Sequence, residues 1–508
     1  MRLVSRMKKS VIKIRLEPLG KTIEVKSGVS LKDVLWDFGV EFPCGGEGLC
    51  RGCLVKIING NLELNDVQRR KLSEQEIQDG LRMACQCRVF EPVTLELIQF
   101  ETAILGDETG IQAKYVGGLG VAIDLGTTTL VVQLLDMRNG NILGVRSALN
   151  PQAQHGADIM SRIDFALNKS GAATLRNLIL KKLGAMIGEL LTESDLPLKK
   201  IVIVGNTAMH HLFNGIDVLP LSRFPFQPEQ DGEFVWKASD LKWNFRSNPD
   251  VIFLPCLGGF VGSDLLAGII TVGMSESEEM IGLIDLGTNG EVVIGNKRRI
   301  LCSSTAAGPA FEGAKISQGM RASTGAISKV TIRDKQLAYE IIGNGLPKGI
   351  CGSGLVDAVA CGLQLGRIAS SGRLLDSRKI LELIPPVSIT QNDIRELQLA
   401  KAAIAAGVEI LLKQLSLQKS DLHEVHIAGA FGNYINLSSA RRIGLLNFND
   451  SVLIQSGNTA LRGAKLALFR EDNFDEILQK VEHVPLAADP EFQDIFVDQL
   501  AFPSGTDR

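Results

Sequence analysis

Five of the chain's nine cysteines fall between Cys44 and Cys87. Cys44, Cys50 and Cys53 follow C-x5-C-x2-C in "PCGGEGLCRGC", and "LRMACQC" adds Cys85 and Cys87. Four thiolates converging on two irons hold a 2Fe–2S cluster. Gly45, Gly46, Gly48 and Gly52, set between the first three cysteines, let a backbone loop close around the inorganic sulfides. Zinc is the alternative. Its sites usually show two C-x2-C halves, whereas here one arm is C-x5-C-x2-C and the other is a pair separated by one residue.

A second chemistry is suggested by a repeat. The pentapeptide "IDLGT" occurs at Ile123–Thr127 in "GVAIDLGTTTLVVQLLD" and again at Ile284–Thr288 in "IGLIDLGTNGEVVIG". Each copy puts an Asp at the end of an apolar run, then a Gly turn with hydroxyl side chains, then a second apolar run. N–H groups in such a turn make an anion-binding concavity. The Asp works there through Mg²⁺ or through an oriented water, since a bare carboxylate would repel a phosphate. One such hairpin is also a common structural turn. Two of them, each opening a similar half of an α/β chain, suggest duplicated lobes over one nucleotide. A third glycine turn lies in "EVHIAGAFGNYIN" (Glu424–Asn436), a short apolar strand followed by A-G-A-F-G with Gly429 and Gly432; a plain strand-to-helix turn is the alternative.

The elements that must position these residues follow from periodicity. "SVIKIRL" and "KTIEV" alternate as strands, Gly20 turns the chain, and Ser30 is set to cap a helix running to Trp36. Thr390 and Asp393 form a capping-box pattern ahead of a long helix with a stripe of Ile394, Leu397, Ile404, Val408 and Leu411. Its centre is rich in Ala and Gly, and Gln398 and Lys401 are candidates to touch a nucleotide. "VGNTAMHHLF" reads as a strand end and a helix start. His210 and His211 lack a ligand pattern and are expected to be structural, and Cys302 and Cys351 to be ordinary buried thiols.

The cysteine segment resembles the β-grasp 2Fe–2S ferredoxins. That resemblance implies Cys44, Cys50, Cys53 and Cys85 as cluster ligands, the last because it precedes Gln86, with Cys87 as the runner-up. The repeated pentapeptides resemble the two phosphate loops of the actin, sugar-kinase and heat-shock-chaperone ATPases. This implies that Asp124, Gly126, Thr127, Thr128, Asp285, Gly287, Thr288 and Asn289 embrace ATP and Mg²⁺. Glu291 is a neighbour of that set, Gly429 and Gly432 lie under the adenosine, and Asn206 and Thr207 fall where the lobes join.

The ordered set of motifs over nearly the whole chain is similar to that of the ATP-dependent reductive activators of corrinoid proteins. The expected architecture is an α+β β-grasp ferredoxin domain (1–100), a linker (101–118) and a two-lobed α/β actin-like, ribonuclease H-like ATPase (lobes 119–278 and 279–508). The resemblance implies Co(II)-to-Co(I) reduction of a corrinoid partner, with an upstream low-potential electron donor. Longer members insert a further domain where this chain has about twenty residues, and "GGLG" at Gly117–Gly120 is expected to be a flexible hinge. Some relatives carry four-iron motifs at the C-terminus; no cysteine follows Cys361 here. Ser303, Ser304 and Thr305 are candidates to approach the corrinoid.

Bulk properties fit a cytoplasmic protein. The 508 residues carry a net charge of −3, with 45% hydrophobic and 22% charged residues. The basic clusters Arg6–Lys9 and Arg69–Lys71 are too short to suggest a nucleic-acid partner. The apolar stretch Leu254–Met274 contains Asp264, so a buried segment is expected rather than a membrane span. Three rivals remain: an ATP-gated donor to another low-potential metalloenzyme, a chaperone-like assembly factor, and a small-molecule kinase using Asp158 or Asp264 as base.

Overall fold

A computed structural model describes all residues except 1–10, 18–19, 39, 41, 43–45, 49–50, 52, 98–106, 108–110, 112–115, 157, 193–194, 288, 306, 314, 345, 471–473 and 504–508. Cys44, Cys50 and Thr288 therefore lie outside the described residues. The chain divides into a small N-terminal unit and a large one.

In the small unit, Val11–Glu17 alternates buried and exposed residues and pairs antiparallel with Lys21–Lys26. Val93–Leu97 joins parallel to the first strand, and Leu54–Asn59 and Leu81–Met83 complete a five-stranded sheet. A short helix, Leu31–Leu35, follows Ser30, which holds the N-cap position without a side-chain hydrogen bond to it. Ile14, Leu16, Leu35, Val55 and Leu95 form the buried interior. This is the expected β-grasp.

The large unit contains two six-stranded sheets with one plan. In the first, Leu119–Leu125 pairs antiparallel with Thr129–Asp136, which pairs antiparallel with Asn141–Leu149. On its other side Leu119–Leu125 pairs parallel with Leu198–Val204, which pairs parallel with Asp250–Phe253. In the second sheet Ile281–Leu286, Gly290–Gly295 and Ile300–Thr305 form the antiparallel run. Glu424–Ala428 and Leu453–Gly457 are added in parallel. Both sheets read third, second, first, fourth, fifth, so the two copies of "IDLGT" end equivalent first strands.

Two helices, Ser263–Thr271 and Thr459–Leu468, pack tightly against each other. A Cβ at Gly463 would overlap the Ala267 carbonyl, and Thr271 Oγ1 donates to Thr459 O at 2.8 Å. The first helix is the buried end of the apolar stretch around Asp264. Among the described residues no helix is long and apolar enough to cross a membrane. The long helix Gln391–Gln414 starts in the expected capping box, and all five residues of its predicted stripe are buried.

The hinge expected at Gly117–Gly120 is corrected. Leu119 and Gly120 are already strand, Leu119 N donates to Pro197 O at 2.9 Å, and Met137 N donates to Gly118 O at 2.9 Å. Backbone pairing on both sides holds these glycines in place.

Candidate functional site

Cys53 and Cys85 are brought together by strand register. Leu54 pairs with Met83, and Ala84 N donates to Cys53 O at 2.9 Å. Cys85 then sits on the tight turn Ala84–Gln86. Gln86 Nε2 lies 3.5 Å from Cys85 Sγ, while its Oε1 accepts from Asn65 Nδ2 at 3.0 Å. Gly48 has a φ of 75°, and a Cβ there would lie 2.9 Å from the Gln86 amide. Gly48 and the Gln86 side chain thus approach to within a methyl group.

Cys87 has different partners. It is buried, its Sγ lies against the Gln68 amide and 3.4 Å from Met83 O, and burial pushes its thiol up to about 12. A thiol kept protonated inside the fold is a poor ligand.

In the large unit the first phosphate turn is braced from behind. Gly126 N donates to Thr129 O at 3.0 Å and Asn150 Nδ2 donates to Gly126 O at 2.8 Å. Asn206 Nδ2 donates to Thr127 Oγ1 at 2.8 Å, and Thr207 Oγ1 to Gly258 O at 2.7 Å. These two residues therefore tie the turn to the first lobe's own loops. They were expected to join the lobes. The second turn closes with Gly287 N donating to Asn289 O at 3.1 Å. Behind it, Gly290 packs so closely on the long helix that a Cβ would lie 2.5 Å from Ile404 Cγ1. In the helix itself Gly407 lies against the same sheet, where a Cβ would come 2.9 Å from Thr305 Cγ2.

Gly429 completes the second lobe's share. Its φ is 84°, and a Cβ would overlap the Asp285 carboxylate and come 2.7 Å from Leu286 O. The third glycine turn therefore lies directly against the second phosphate turn. Gly432 sits one helical turn on, within the helix Gly429–Tyr434.

Four carboxylates gather here. Burial pushes Asp124 up to about 6, against a hydrogen bond from Asn458. Burial, helped by repulsion from Asp124, raises Asp264 to about 7, against a backbone hydrogen bond from Leu265. Asp285 rises to about 7 through burial and then repulsion from Asp264 and Asp124. Glu291, opposite Asp285 in the hairpin, is also raised, by burial and the Asp285 and Asp264 charges. A divalent cation would relieve this crowding. Among the described residues no three Cys, His, Asp or Glu side chains converge tightly enough to hold a metal alone.

Three expectations are corrected. Gln398 Nε2 donates to Leu500 O at 2.7 Å, and Lys401 Nζ to Ala501 O at 2.6 Å. Both side chains are buried under the C-terminal segment, so they are engaged there and not by a nucleotide. Ser303 and Thr305 are interior strand residues, donating to Val484 O and Gly290 O at 2.8 Å each. Neither reaches a surface that a corrinoid could approach. Asp158 is the N-cap of Ile159–Ala166 in a capping box with Ser161, which accounts for it without a role as base. His210 and His211 are buried and structural, with ring nitrogens on Gly232 O and Thr207 O.

Sequence reasoning missed Asn458. Its Nδ2 donates to Asp124 Oδ2 at 2.9 Å, and its Oδ1 caps Thr459–Leu468 through Leu461 N at 2.8 Å. An Asn before a helix was the available signal; its partner lies 334 positions away.

Comparison with known proteins places the domains. Residues 14–90 match the 2Fe-2S iron-sulfur cluster binding domain, 119–277 the RACo middle region and 279–508 the C-terminal domain of RACo, the ASKHA domain. The chain is 35% identical over 419 residues to the corrinoid activation enzyme RamQ of Eubacterium limosum, covering 75% of this chain and 70% of that protein. The chain belongs to the RACo family, the reductive activators of corrinoid proteins. It is 26% identical over 420 residues to a [Co(II) methylated amine-specific corrinoid protein] reductase of Methanosarcina barkeri, covering 75% and 77% of the two chains. A solved structure, that of a reductive activator for corrinoid, iron-sulfur protein, superposes with a TM-score of 0.67 at 28% identity, covering 97% and 98% of the chains.

Proposed function

We propose that the protein uses ATP to control the one-electron reduction of a corrinoid protein, from Co(II) to Co(I), and so restores a state able to accept a methyl group. The observation that carries this reading is a ferredoxin cysteine cradle joined in one chain to a two-jawed site of half-buried carboxylates. The names of the relatives support the same substrate class. A Co(II) corrinoid is a difficult acceptor. Each 59 mV of unfavourable potential is about a tenfold loss in a one-electron equilibrium, so an energy source is needed.

Cys44, Cys50, Cys53 and Cys85 are the proposed ligands of a 2Fe–2S cluster, which when bound supplies a one-electron carrier. The register joining Cys53 to Cys85 and the withdrawal of Cys87 support this set. Gln86 holds the Cys85 turn by bridging it to Asn65. Electrons are proposed to enter from a low-potential donor in the cytoplasm.

The turns Gly126–Thr128 and Gly287–Asn289 are proposed to bind the ATP phosphates, with Gly429 and Gly432 under the adenosine. Asp124 and Asp285 would hold Mg²⁺, directly or through water. Asp264 and Glu291 would complete the negative wall and orient water beside the terminal phosphate. Closure of the jaws then selects the conformation in which the partner's cobalt is reduced.

The test mixes dithionite-reduced protein with a Co(II) corrinoid protein and follows the visible spectrum. Co(I) is expected only with MgATP. A phosphorylated small molecule formed without reductant, and no Co(I), would favour a kinase instead.

A further inference from the structure

The edge of the second sheet carries three side chains joined in a row. His426, on the strand Glu424–Ala428, has its Nδ1 2.7 Å from Ser456 Oγ and its Nε2 3.1 Å from Glu424 Oε2. A carboxylate only accepts, so Glu424 fixes the ring proton on Nε2. Nδ1 is then the acceptor, and the Ser456 hydroxyl donates to it. The other acceptor near that hydroxyl, Ile454 O, lies at 3.4 Å, too far for a good O–H···O bond. A hydroxyl, an imidazole base and a carboxylate that orients the base are the parts of an activated nucleophile.

Ser456 owes its place to a break in strand register. On Leu453–Gly457, Gln455 pairs with Ile427 and Gly457 pairs with Ala428, so Ser456 is an extra residue with no opposite number in the ladder. A β-bulge of this kind re-aims a side chain. The bulge is held firmly, with Gln455 Nε2 lying 3.1 Å from the carbonyl oxygens of Gly432, Asn433 and Ile435. Space lies beside it. Gly457 has a φ of 66°, and a Cβ there would meet nothing nearer than Asn433 Oδ1 at 4.0 Å. Leu453–Gly457 is the outermost strand of its sheet, and Ser456 is half-buried. Ile454, opposite His426 in the ladder, exposes 37% of its surface.

We propose that Ser456, His426 and Glu424 form a second reactive site, in which the serine takes an acyl group from a small activated ester. Ser456 and His426 are its catalytic residues, and Glu424 is a positioning residue. None of the three belongs to a phosphate turn, and the chemistry needs neither ATP nor a cluster.

Ser456 Oγ attacks the ester carbonyl carbon as its proton passes to His426 Nδ1. The Oγ–C bond forms, the carbonyl oxygen becomes an oxyanion, and Glu424 steadies the charge on the imidazolium. The backbone N–H of Ser456, left out of the ladder by the bulge, is available to that oxyanion. When the carbonyl re-forms, the bond to the leaving alcohol breaks and His426 returns the proton to the alcohol oxygen. Water that gives a proton to the same nitrogen then releases the carboxylic acid and restores the serine. Burial keeps the His426 ring below its ordinary value despite the pull of Glu424, so at neutral pH the ring is free to accept a proton. The exposed Ile454 side chain offers an apolar surface to a short acyl chain.

The test treats the full-length protein with a fluorophosphonate probe and, separately, with p-nitrophenyl acetate, and locates the modified residue by peptide mass spectrometry. Ser456 is expected to carry the label, with a burst of nitrophenolate close to one per chain. Ser456→Ala should lose both. His426→Asn should slow labelling about a hundredfold. Glu424→Gln keeps a hydrogen bond but not the charge. It should lower kcat for ester hydrolysis about tenfold and leave KM unchanged, a split that loosened packing alone would not give. All three variants should melt within about 5 °C of the wild type, which shows that they are folded. No label on Ser456 in the wild type, or equal labelling in His426→Asn, overturns the proposal. Phosphate on Ser456 after incubation with MgATP, with no acylation by the ester, overturns it in favour of a phosphoryl acceptor.

Discussion

Gly429 stands so close to Asp285 that a Cβ in place of its hydrogen would overlap the Asp285 Oδ1 and come 2.7 Å from Leu286 O. Its φ of 84° is one that side-chain-bearing residues rarely adopt. Gly429→Ala should therefore push Asp285 out of line. We expect ATP affinity to fall at least tenfold by calorimetry. Gly432→Ala, where φ is ordinary and the nearest protein atom is a movable Ile427 methyl at 3.0 Å, should leave Asp285 in place and cost less than Gly429→Ala.

The two cysteines of "ACQC" predict opposite outcomes. Cys85→Ser should abolish the visible and EPR signals of the cluster. Cys87→Ser should keep both signals and lower stability by about 1 kcal/mol, because it buries a hydroxyl in place of a thiol. Loss of the cluster in Cys87→Ser alone would reverse the assignment.

Gln398→Leu and Lys401→Met test the correction to the long helix. Both should leave ATP affinity within twofold of wild type. Both should speed proteolysis near residues 500–503, because the carbonyls of Leu500 and Ala501 lose their donors. A tenfold loss of ATP affinity with an intact C-terminal segment would restore the nucleotide role.

His210 makes the ATPase acid-sensitive. Burial among Phe234 and Phe253, with a smaller push from His211, lowers it to about 4. The unfolded chain titrates near 6.5, so it binds more protons than the fold between pH 6.5 and 4. Stability attributable to this residue is full above pH 6.5 and falls as pH drops through that window, by about 2 kcal/mol at pH 5. Urea unfolding at pH 7 and pH 5 should show this drop in the wild type and a smaller one in His210→Gln.

The hairpins around Asp124 and Asp285 were legible because strand periodicity and turn chemistry are local. So was the capping box at Thr390, which needs only four consecutive residues. The fates of Gln398, Lys401 and Ser303 were not, because a polar side chain on a helix or strand gives no sign of which distant carbonyl it will meet. Asn458 was hidden for the same reason. The glycines of "GGLG" looked free because backbone pairing with Pro197 and Met137 leaves no trace in their own sequence.

The central claim is that the nucleotide decides when the electron leaves. Stopped-flow absorbance can follow oxidation of the pre-reduced cluster by a Co(II) corrinoid protein, in the wild type and in Asp285→Asn. The account predicts at least a hundredfold acceleration by MgATP in the wild type and less than a threefold effect in Asp285→Asn, with the cluster intact in both. Equally fast oxidation with and without MgATP in the wild type would contradict it.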